Sequence, residues 1–219
     1  MNYLVFRALQ PEAVEQAVAE LARRKFVDGK LTATGQARDV KNNLQVETDP
    51  AELDDLDRLV LSALQGNRDF QAFAVPKRAM KPLFSRYEPG MEYGSHIDSG
   101  ITRGVRTDLS ITLFLSPPTS YDGGELVIET TYGEQEVKLD AGEAVLYSSN
   151  SIHHVAPVTR GVRLAAVTWI QSSIRDESMR TILFDVDACA RQAEATNDRQ
   201  LTLRLGKVYH NLLRYAAEP

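Results

Sequence analysis

The chain has 219 residues, 43% apolar and 25% charged, a balance that fits an ordinary globular protein of one large domain or one domain with a small appendage. A formal charge of −5 excludes nucleic acid as a bulk electrostatic partner, and no apolar run approaches the length that spans a bilayer. The single cysteine, Cys189, excludes an intrachain disulfide. The apolar run within residues 1–10 is too short for a signal peptide, so a cytoplasmic protein without a membrane segment is expected.

Residues 1–80 read as helix-rich. Val14, Ala17, Val18 and Leu21 recur at helical spacing, and Pro11 suits a first turn, which predicts a helix over 11–24. Residues 29–43 are polar and irregular. Thr48-Asp49-Pro50 is expected to open a second helix carrying Leu53, Leu56, Leu59, Val60 and Leu64, with Gly66 placed to end it.

From Leu83 the pattern changes to short strands. Candidates are 83–88, 94–98, 107–116, 125–129, 134–139, 144–147, 152–158 and 162–171. Pro89-Gly90, Pro117-Pro118, Asp122-Gly123-Gly124, Tyr132-Gly133 and Gly142 punctuate them. So many turn-bounded strands imply an antiparallel barrel or jelly roll. Helical spacing returns after Asp176, at Met179, Ile182, Leu183 and Val186 and again over 201–215. Neither end is long enough to bury a core alone, so the helices are expected outside the barrel. The last helix packs on its own barrel or on a second subunit, as in a homodimer. Cys189 is expected as a small buried helix residue, and His210 and Asn211 are assigned no chemistry.

The most specific feature is a split set of metal-ligand residues. His96 and Asp98 are two apart, which places both side chains on one face of a strand. His153 follows after 54 intervening residues, and Arg163 lies ten positions beyond it. Two histidines and a carboxylate with open positions opposite them is the geometry of non-haem Fe(II) oxygenases. An arginine on a nearby strand suits a carboxylate, which it grips with two parallel hydrogen bonds. Each residue has a plainer reading: a surface hydrogen-bonded His–Asp pair, or a solvated strand arginine. Their joint occurrence with the strand pattern favours an enzyme that binds iron and a dicarboxylate co-substrate.

The surrounding residues extend this. Arg86-Tyr87-Glu88-Pro89-Gly90, Gly94-Ser95-His96-Ile97-Asp98, Arg106-Thr107-Asp108-Leu109-Ser110, Asp122-Gly123-Gly124-Glu125-Leu126, the run from His153-His154-Val155-Ala156-Pro157 to Arg163, and the tail Val208-Tyr209-His210-Asn211-Leu212-Leu213 resemble the PKHD-type hydroxylases. These form a prolyl-4-hydroxylase-like branch of the Fe(II)/2-oxoglutarate dioxygenases. The resemblance implies an α+β fold, a double-stranded β-helix (jelly roll) over about 83–172 flanked by N-terminal and C-terminal helices. It also implies a dioxygenase domain over 1–175 and a helical extension over 176–219.

By the same resemblance His96, Asp98 and His153 are the Fe(II) ligands, and Arg163 binds the distal carboxylate of 2-oxoglutarate. His153, not His154, has the family's spacing to the following x-Val-x-Pro and to the basic residue. Tyr87 is either a second contact to 2-oxoglutarate or a half-buried barrel aromatic. The implied reaction consumes 2-oxoglutarate and O2, hydroxylates a prime substrate (a peptidyl side chain or a small molecule), and yields succinate and CO2. L-Ascorbate is the implied accessory reductant. Related halogenases lack the triad carboxylate, so Asp98 favours hydroxylation. The rival readings are a cupin-like metal sensor without turnover, which has no need of Arg163, and a Zn(II) isomerase or hydrolase on a similar barrel.

Other residues stay open in sequence. Trp169 is expected in the core rather than as a substrate platform. Asp108 orients a ligand or braces Arg106 in a strand-end salt bridge. His154 stands where relatives often carry Arg, and 99–105 is shorter than the corresponding loop in many relatives; both are expected near the mouth of the site. Residues 99–106 are expected at the substrate entrance, where Arg103 and Arg106 give a positive edge.

Overall fold

The computed structural model describes residues 3–47, 49 and 52–218. All strand pairing among them is antiparallel. The larger sheet runs in the order β1 (Tyr3–Arg7), β14 (Glu143–Ser148), β10 (Leu109–Phe114), β17 (Arg163–Ser172), β6 (Leu83–Tyr87), β4 (Leu44–Val46) and β2 (Phe26–Asp28), with β5 (Pro76–Ala79) also pairing β17. The smaller sheet runs β13 (Gly133–Val137), β12 (Leu126–Thr130), β15 (His153–Val155), β7 (Glu92–His96) and β3 (Lys41–Asn42). Two two-stranded pairs complete the set: β11 (Tyr121–Gly123) with β16 (Val158–Gly161), distant in sequence, and the hairpin of β8 (Ile101–Thr102) with β9 (Val105–Arg106). This is the double-stranded β-helix with flanking helices that the strand pattern and the resemblance imply.

Strand alternation sorts the core into two layers. On β10 and β14, Leu109, Ile111, Leu113, Ala144 and Leu146 face the helices, while Phe114, Val145 and Tyr147 face the smaller sheet. The helix-side layer takes Leu21 from α1 (Pro11–Leu21), Leu56, Val60 and Leu64 from α3 (Asp55–Gly66), and Phe70 and Phe73 from α4 (Arg68–Ala74). Each such Leu or Val side chain, once buried, contributes about 1.5–3 kcal/mol of transfer free energy. The remaining short helix, α2 (Gly35–Asp39), buries nothing.

The N-terminal region is helix-rich as expected, but β1 to β5 also lie within it and extend both sheets. Their short length hides them, because three residues show no readable period. The helix expected from Thr48-Asp49-Pro50 starts instead at Asp55, while Thr48 and Pro50 lie outside the described residues. Asp54 is the cap: its carboxylate accepts from the Asp57 N–H and Asp57 accepts from the Asp54 N–H, both at 2.9 Å. The segment expected at 152–158 divides into β15 and β16 around Pro157.

C-terminal helices α5 (Glu177–Ala195) and α6 (Arg199–Ala216) pack on each other, and α5 meets α4 through a Phe73–Phe184 edge contact at 5.4 Å. Cys189, expected to be buried, is exposed on α5. Its neighbours on the buried face are Leu183 and Ala193, and Cys189 falls off that stripe. Among the described residues no helix is long and apolar enough to cross a membrane.

Candidate active site

The smaller sheet brings the ligand candidates together by register. His153 on β15 pairs directly with His96 on β7. β7 ends at His96, so Asp98 lies two residues beyond the strand rather than within it, yet its side chain still turns inward and is 10% exposed. One ligand atom from each of His96, Asp98 and His153 lies within 4.8 Å of the others, a span that one metal ion can bridge. His154, one residue on, points to the opposite face of β15 and does not line the cavity, so it is not at the mouth of the site as expected.

Each of the three is held by a neighbour. His96 Nδ1 donates to the Gly94 carbonyl at 2.9 Å, and His153 Nδ1 donates to the Ser151 carbonyl at 3.0 Å. A carbonyl can only accept, so both Nδ1 atoms carry the proton and both Nε2 lone pairs are free for a metal. The Ser110 hydroxyl donates to Asp98 Oδ2 at 2.6 Å, and Ser149 stands 2.7 Å behind Ser110. Tyr93 stacks on the His96 ring with centroids 3.6 Å apart, and Tyr147 meets His153 edge-on at 5.2 Å. Burial, and then the neighbouring His153, push His96 down to about 4, so it is neutral near pH 7.

A cavity of about 350 Å³ runs between the sheets from this cluster to Arg163. Arg163 is 1% exposed and lies between the rings of Tyr87 and Phe114, at 5.1 and 5.2 Å from its guanidinium carbon. Its Nε and Nη2 have no hydrogen-bond partner of good geometry among the described residues, and the buried Tyr121 hydroxyl lies beside it. A buried guanidinium without a counter-ion is costly, and a carboxylate is the group whose charge and geometry would satisfy it. Tyr87 lines the cavity and is 3% exposed; burial raises its hydroxyl above its usual range, so it stays a neutral donor.

The Asp-Gly-Gly turn makes room for Arg163. A Cβ on Gly123 would lie 2.0 Å from the Pro157 carbonyl oxygen, and one on Gly124 would lie 3.0 Å from Arg163 Cδ. Both glycines also hold a positive φ, at 71° and 68°.

The other expectations divide. Ser99, Ile101, Thr102 and Arg103 line the cavity, so residues 99–103 stand at its entrance. Arg106 does not: it donates to Asp108 at 2.7 Å, to Glu218 at 2.7 Å and to the Ser172 carbonyl at 3.0 Å, which locks the root of the β8–β9 hairpin. Asp108 is thus the brace of Arg106 and also accepts from the Ser172 N–H at 2.8 Å. Trp169, expected in the core, lines the cavity, because odd-numbered residues of β17 from Arg163 onward face inward. Sequence reading missed Ser110, Tyr93, Tyr121 and Lys41. Ser110 and Thr112 had a signal, since they alternate with three apolar residues on one strand; Lys41, inside a polar stretch, had none.

The comparisons agree with this arrangement. Residues 82–171 match the family model of the 2OG-Fe(II) oxygenase superfamily, and residues 177–218 match the PKHD-type hydroxylase C-terminal domain. A PKHD-type hydroxylase of Klebsiella pneumoniae (strain 342) is 43% identical over 224 residues, covering all of both chains. Among solved structures, a Pseudomonas putida prolyl-4-hydroxylase superposes with a TM-score of 0.60 at 23% identity, covering 78% of this chain and 92% of that one. A Trichoplax adhaerens prolyl hydroxylase, in complex with a hypoxia inducible factor oxygen degradation domain peptide fragment, does so with a TM-score of 0.60 at 14% identity, covering 83% and 86%.

Proposed function

The chain belongs to the PKHD-type hydroxylases, Fe(II)- and 2-oxoglutarate-dependent oxygenases, and from that premise we propose how its residues divide the work. His96, Asp98 and His153 hold the iron. Arg163 takes the distal carboxylate of 2-oxoglutarate, with Tyr87 as a second contact. The observation that carries this is the buried guanidinium, its Nε and Nη2 short of a hydrogen-bond partner among the described residues, at one end of a cavity whose wall holds the His–Asp–His cluster. The donor set fits Fe(II): two neutral imidazoles and a carboxylate, with positions left for exogenous ligands.

Iron with bound 2-oxoglutarate supplies the oxidant, so that 2-oxoglutarate, O2 and a substrate C–H become succinate, CO2 and an alcohol. The protein's own part is positional. The two backbone carbonyls fix the imidazole tautomers, and Ser110 fixes the Asp98 oxygen it donates to. Arg163 and the rings beside it set the depth and direction of the co-substrate. The metal sensor reading does not account for Arg163, and membership of a hydroxylase family sets it aside.

The proposed prime substrate is a peptidyl side chain, supported by the shared fold with prolyl hydroxylases, one of them solved with a peptide. Ascorbate as accessory reductant and a cytoplasmic location belong to the same proposal and rest on the family resemblance and the cysteine content. So does a homodimer, supported by the exposed Leu203 and Tyr215 on α6. The division at 175/176 is supported by the separate family matches on either side of it. Anaerobic addition of 2-oxoglutarate to Fe(II)-loaded protein, followed by O2, tests the core of the proposal: succinate and CO2 should form in equal amounts. Absence of 2-oxoglutarate binding would sink it.

A further inference from the structure

The wall of the cavity is cationic although the chain as a whole is acidic. Among the described residues its charged lining is Lys41, Lys81, Arg103, Arg163 and one acid, Asp98. Asp98 is proposed as a metal ligand, and Arg163 is assigned to the co-substrate. Lys81 is paired with the buried Asp57 at 3.0 Å. That leaves Lys41 and Arg103 with no ion-pair partner among the described residues. Arg103 sits at the exposed tip of its hairpin, whereas Lys41 is 4% exposed.

Lys41 is held by its surroundings. β3 is the edge strand beside β7, and Lys41 pairs with Tyr93, so its ammonium lies over the Tyr93 ring at 5.0 Å, with the His96 ring stacked on that same tyrosine. Lys41 Nζ donates to Thr32 Oγ1 at 3.0 Å, Thr32 donates on to Gln45, and Gln45 Nε2 donates to Ser85 at 3.3 Å. The Thr32 hydroxyl has two acceptors for its proton, the Gly29 carbonyl at 3.0 Å and Gln45, and an ammonium cannot accept, so Thr32 accepts from Lys41 and the contacts fix the ammonium in place. One of its three N–H bonds is used in this way. Asp98 and Asp28 attract the ammonium from a distance, but neither pairs with it. From the larger sheet, Trp169 brings a buried indole N–H that has no hydrogen-bond partner among the described residues.

We propose that Lys41 is a specificity-determining residue, binding a carboxylate of the prime substrate, with the Trp169 indole N–H as a further donor to that substrate from the facing sheet. The inference rests on the assignment of Arg163 to 2-oxoglutarate, which leaves Lys41 free for a second anion. Lys41, Thr32 and Gln45 all lie outside the stretch matched to the oxygenase superfamily, residues 82–171. The charged part of the selectivity therefore resides in the N-terminal region, and the Trp169 donor and the chemistry in the barrel.

The test uses the full chain loaded with Mn(II) and saturating 2-oxoglutarate, which permits binding without turnover. The probes are matched pairs of N-acetyl-L-proline, N-acetyl-L-leucine and N-acetyl-L-phenylalanine with their carboxamides, observed by paramagnetic broadening of their proton signals. The carboxylate member of at least one pair should bind about tenfold or more tightly than its amide, the size expected for a paired buried charge. Lys41→Gln should bring that ratio near one, and Lys41→Arg should keep part of it. Equal binding of both members in every pair by the parent protein would overturn the inference without recourse to any variant. So would a ratio unchanged in a Lys41→Gln protein of native circular dichroism. Signals of 2-oxoglutarate itself separate the two levels: their failure to broaden in the parent faults the co-substrate site, whereas broadened 2-oxoglutarate with no carboxylate preference faults the role of Lys41 alone.

Discussion

His96 and His153 stand directly opposite each other in an antiparallel pair, their ring centroids 4.3 Å apart. Strand pairing thus does what the sequence separation cannot: it brings residues from two distant segments to one side of an ion. A one-residue slip would turn one imidazole to the outer face, where His154 already points. The site is tied to the register of the smaller sheet, so sheet and metal should stabilise each other.

The first expected outcome concerns the metal. One Fe(II) or Mn(II) per chain should bind, with Asp98→Ala and His153→Ala losing most of the affinity and His154→Ala retaining it. Ser110→Ala should weaken binding by about 10-fold or more, since it frees the carboxylate oxygen it now orients. Anaerobic calorimetric titration measures all four, and circular dichroism monitors the barrel. Equal loss in His153→Ala and His154→Ala would refute the assignment.

Arg163→Ala should raise the Kd for 2-oxoglutarate by an amount worth about 2–5 kcal/mol, because a carboxylate would then enter a buried site without its partner. Arg163→Lys should recover part of it, keeping the charge and losing the fork. Metal affinity should stay near that of the parent. Anaerobic titration of 2-oxoglutarate into the metal-loaded variants decides it, and an unchanged Kd in Arg163→Ala would count against the co-substrate site.

The barrel and its ligand set were legible for a physical reason. Strands bounded by Pro-Gly or Gly-Gly turns leave a period of two, and metal ligands need particular residue types at particular spacings. What was not legible is what depends on partners far away. Arg106 reads as an entrance charge until Glu218 and Asp108 are placed around it. Trp169 reads as core until β17 is seen to face the cavity. Lys41 is one residue of a polar, irregular stretch until β3 adds to the edge of β7. β2 to β5, of two to four residues each, are too short for periodicity, and only pairing identifies them.

Gly124→Ala should impair the co-substrate site while leaving the metal ligands intact. Its φ is +68°, and the new methyl would lie 2.9 Å from Val158 Cγ2, 3.0 Å from Arg163 Cδ and 3.2 Å from Tyr121 Cε2. Backbone strain of about 1–3 kcal/mol is expected from a non-glycine residue held in that region. The melting temperature should fall, and the Kd for 2-oxoglutarate should rise more than that for the metal. A variant equal to the parent in both would show that Arg163 has more freedom than its burial implies.

Arg106→Ala should cost stability rather than substrate affinity. The guanidinium ties three separate places together: Asp108 at the start of β10, the end of β17 and Glu218 near the C-terminus. Asp108 is only 9% exposed, and removing its partner leaves a nearly buried carboxylate short of a bond, with a loss on the order of 3 kcal/mol. Glu218→Gln should cost less, since Glu218 is 40% exposed. Denaturant unfolding ranks the two; a larger loss in Glu218→Gln would reverse the account of which contact anchors the hairpin.

Lys41 should leave a signature in the pH dependence of stability. Burial lowers it from 10.5 to about 8, against the attraction of Asp98 and Asp28. Below pH 8 it is charged in both the folded and unfolded chain, and the penalty of burying the charge is fully present. Between pH 8 and 10.5 the folded state releases the proton while the unfolded state keeps it, so the unfolded chain binds more protons and stability rises with pH. The full rise corresponds to about 3 kcal/mol, most of it gained by pH 10. Tyr87, Tyr93, Tyr121 and Tyr147 are all raised by burial, so their contribution starts to fall only as the pH approaches the unfolded value of 10.0, and the window between about 8 and 9 isolates the lysine. Denaturant unfolding of the metal-free protein should show this rise, and Lys41→Met should be both more stable at pH 7 and flatter across the window. Parallel curves for the two proteins would mean that the ammonium is better solvated than its 4% exposure indicates.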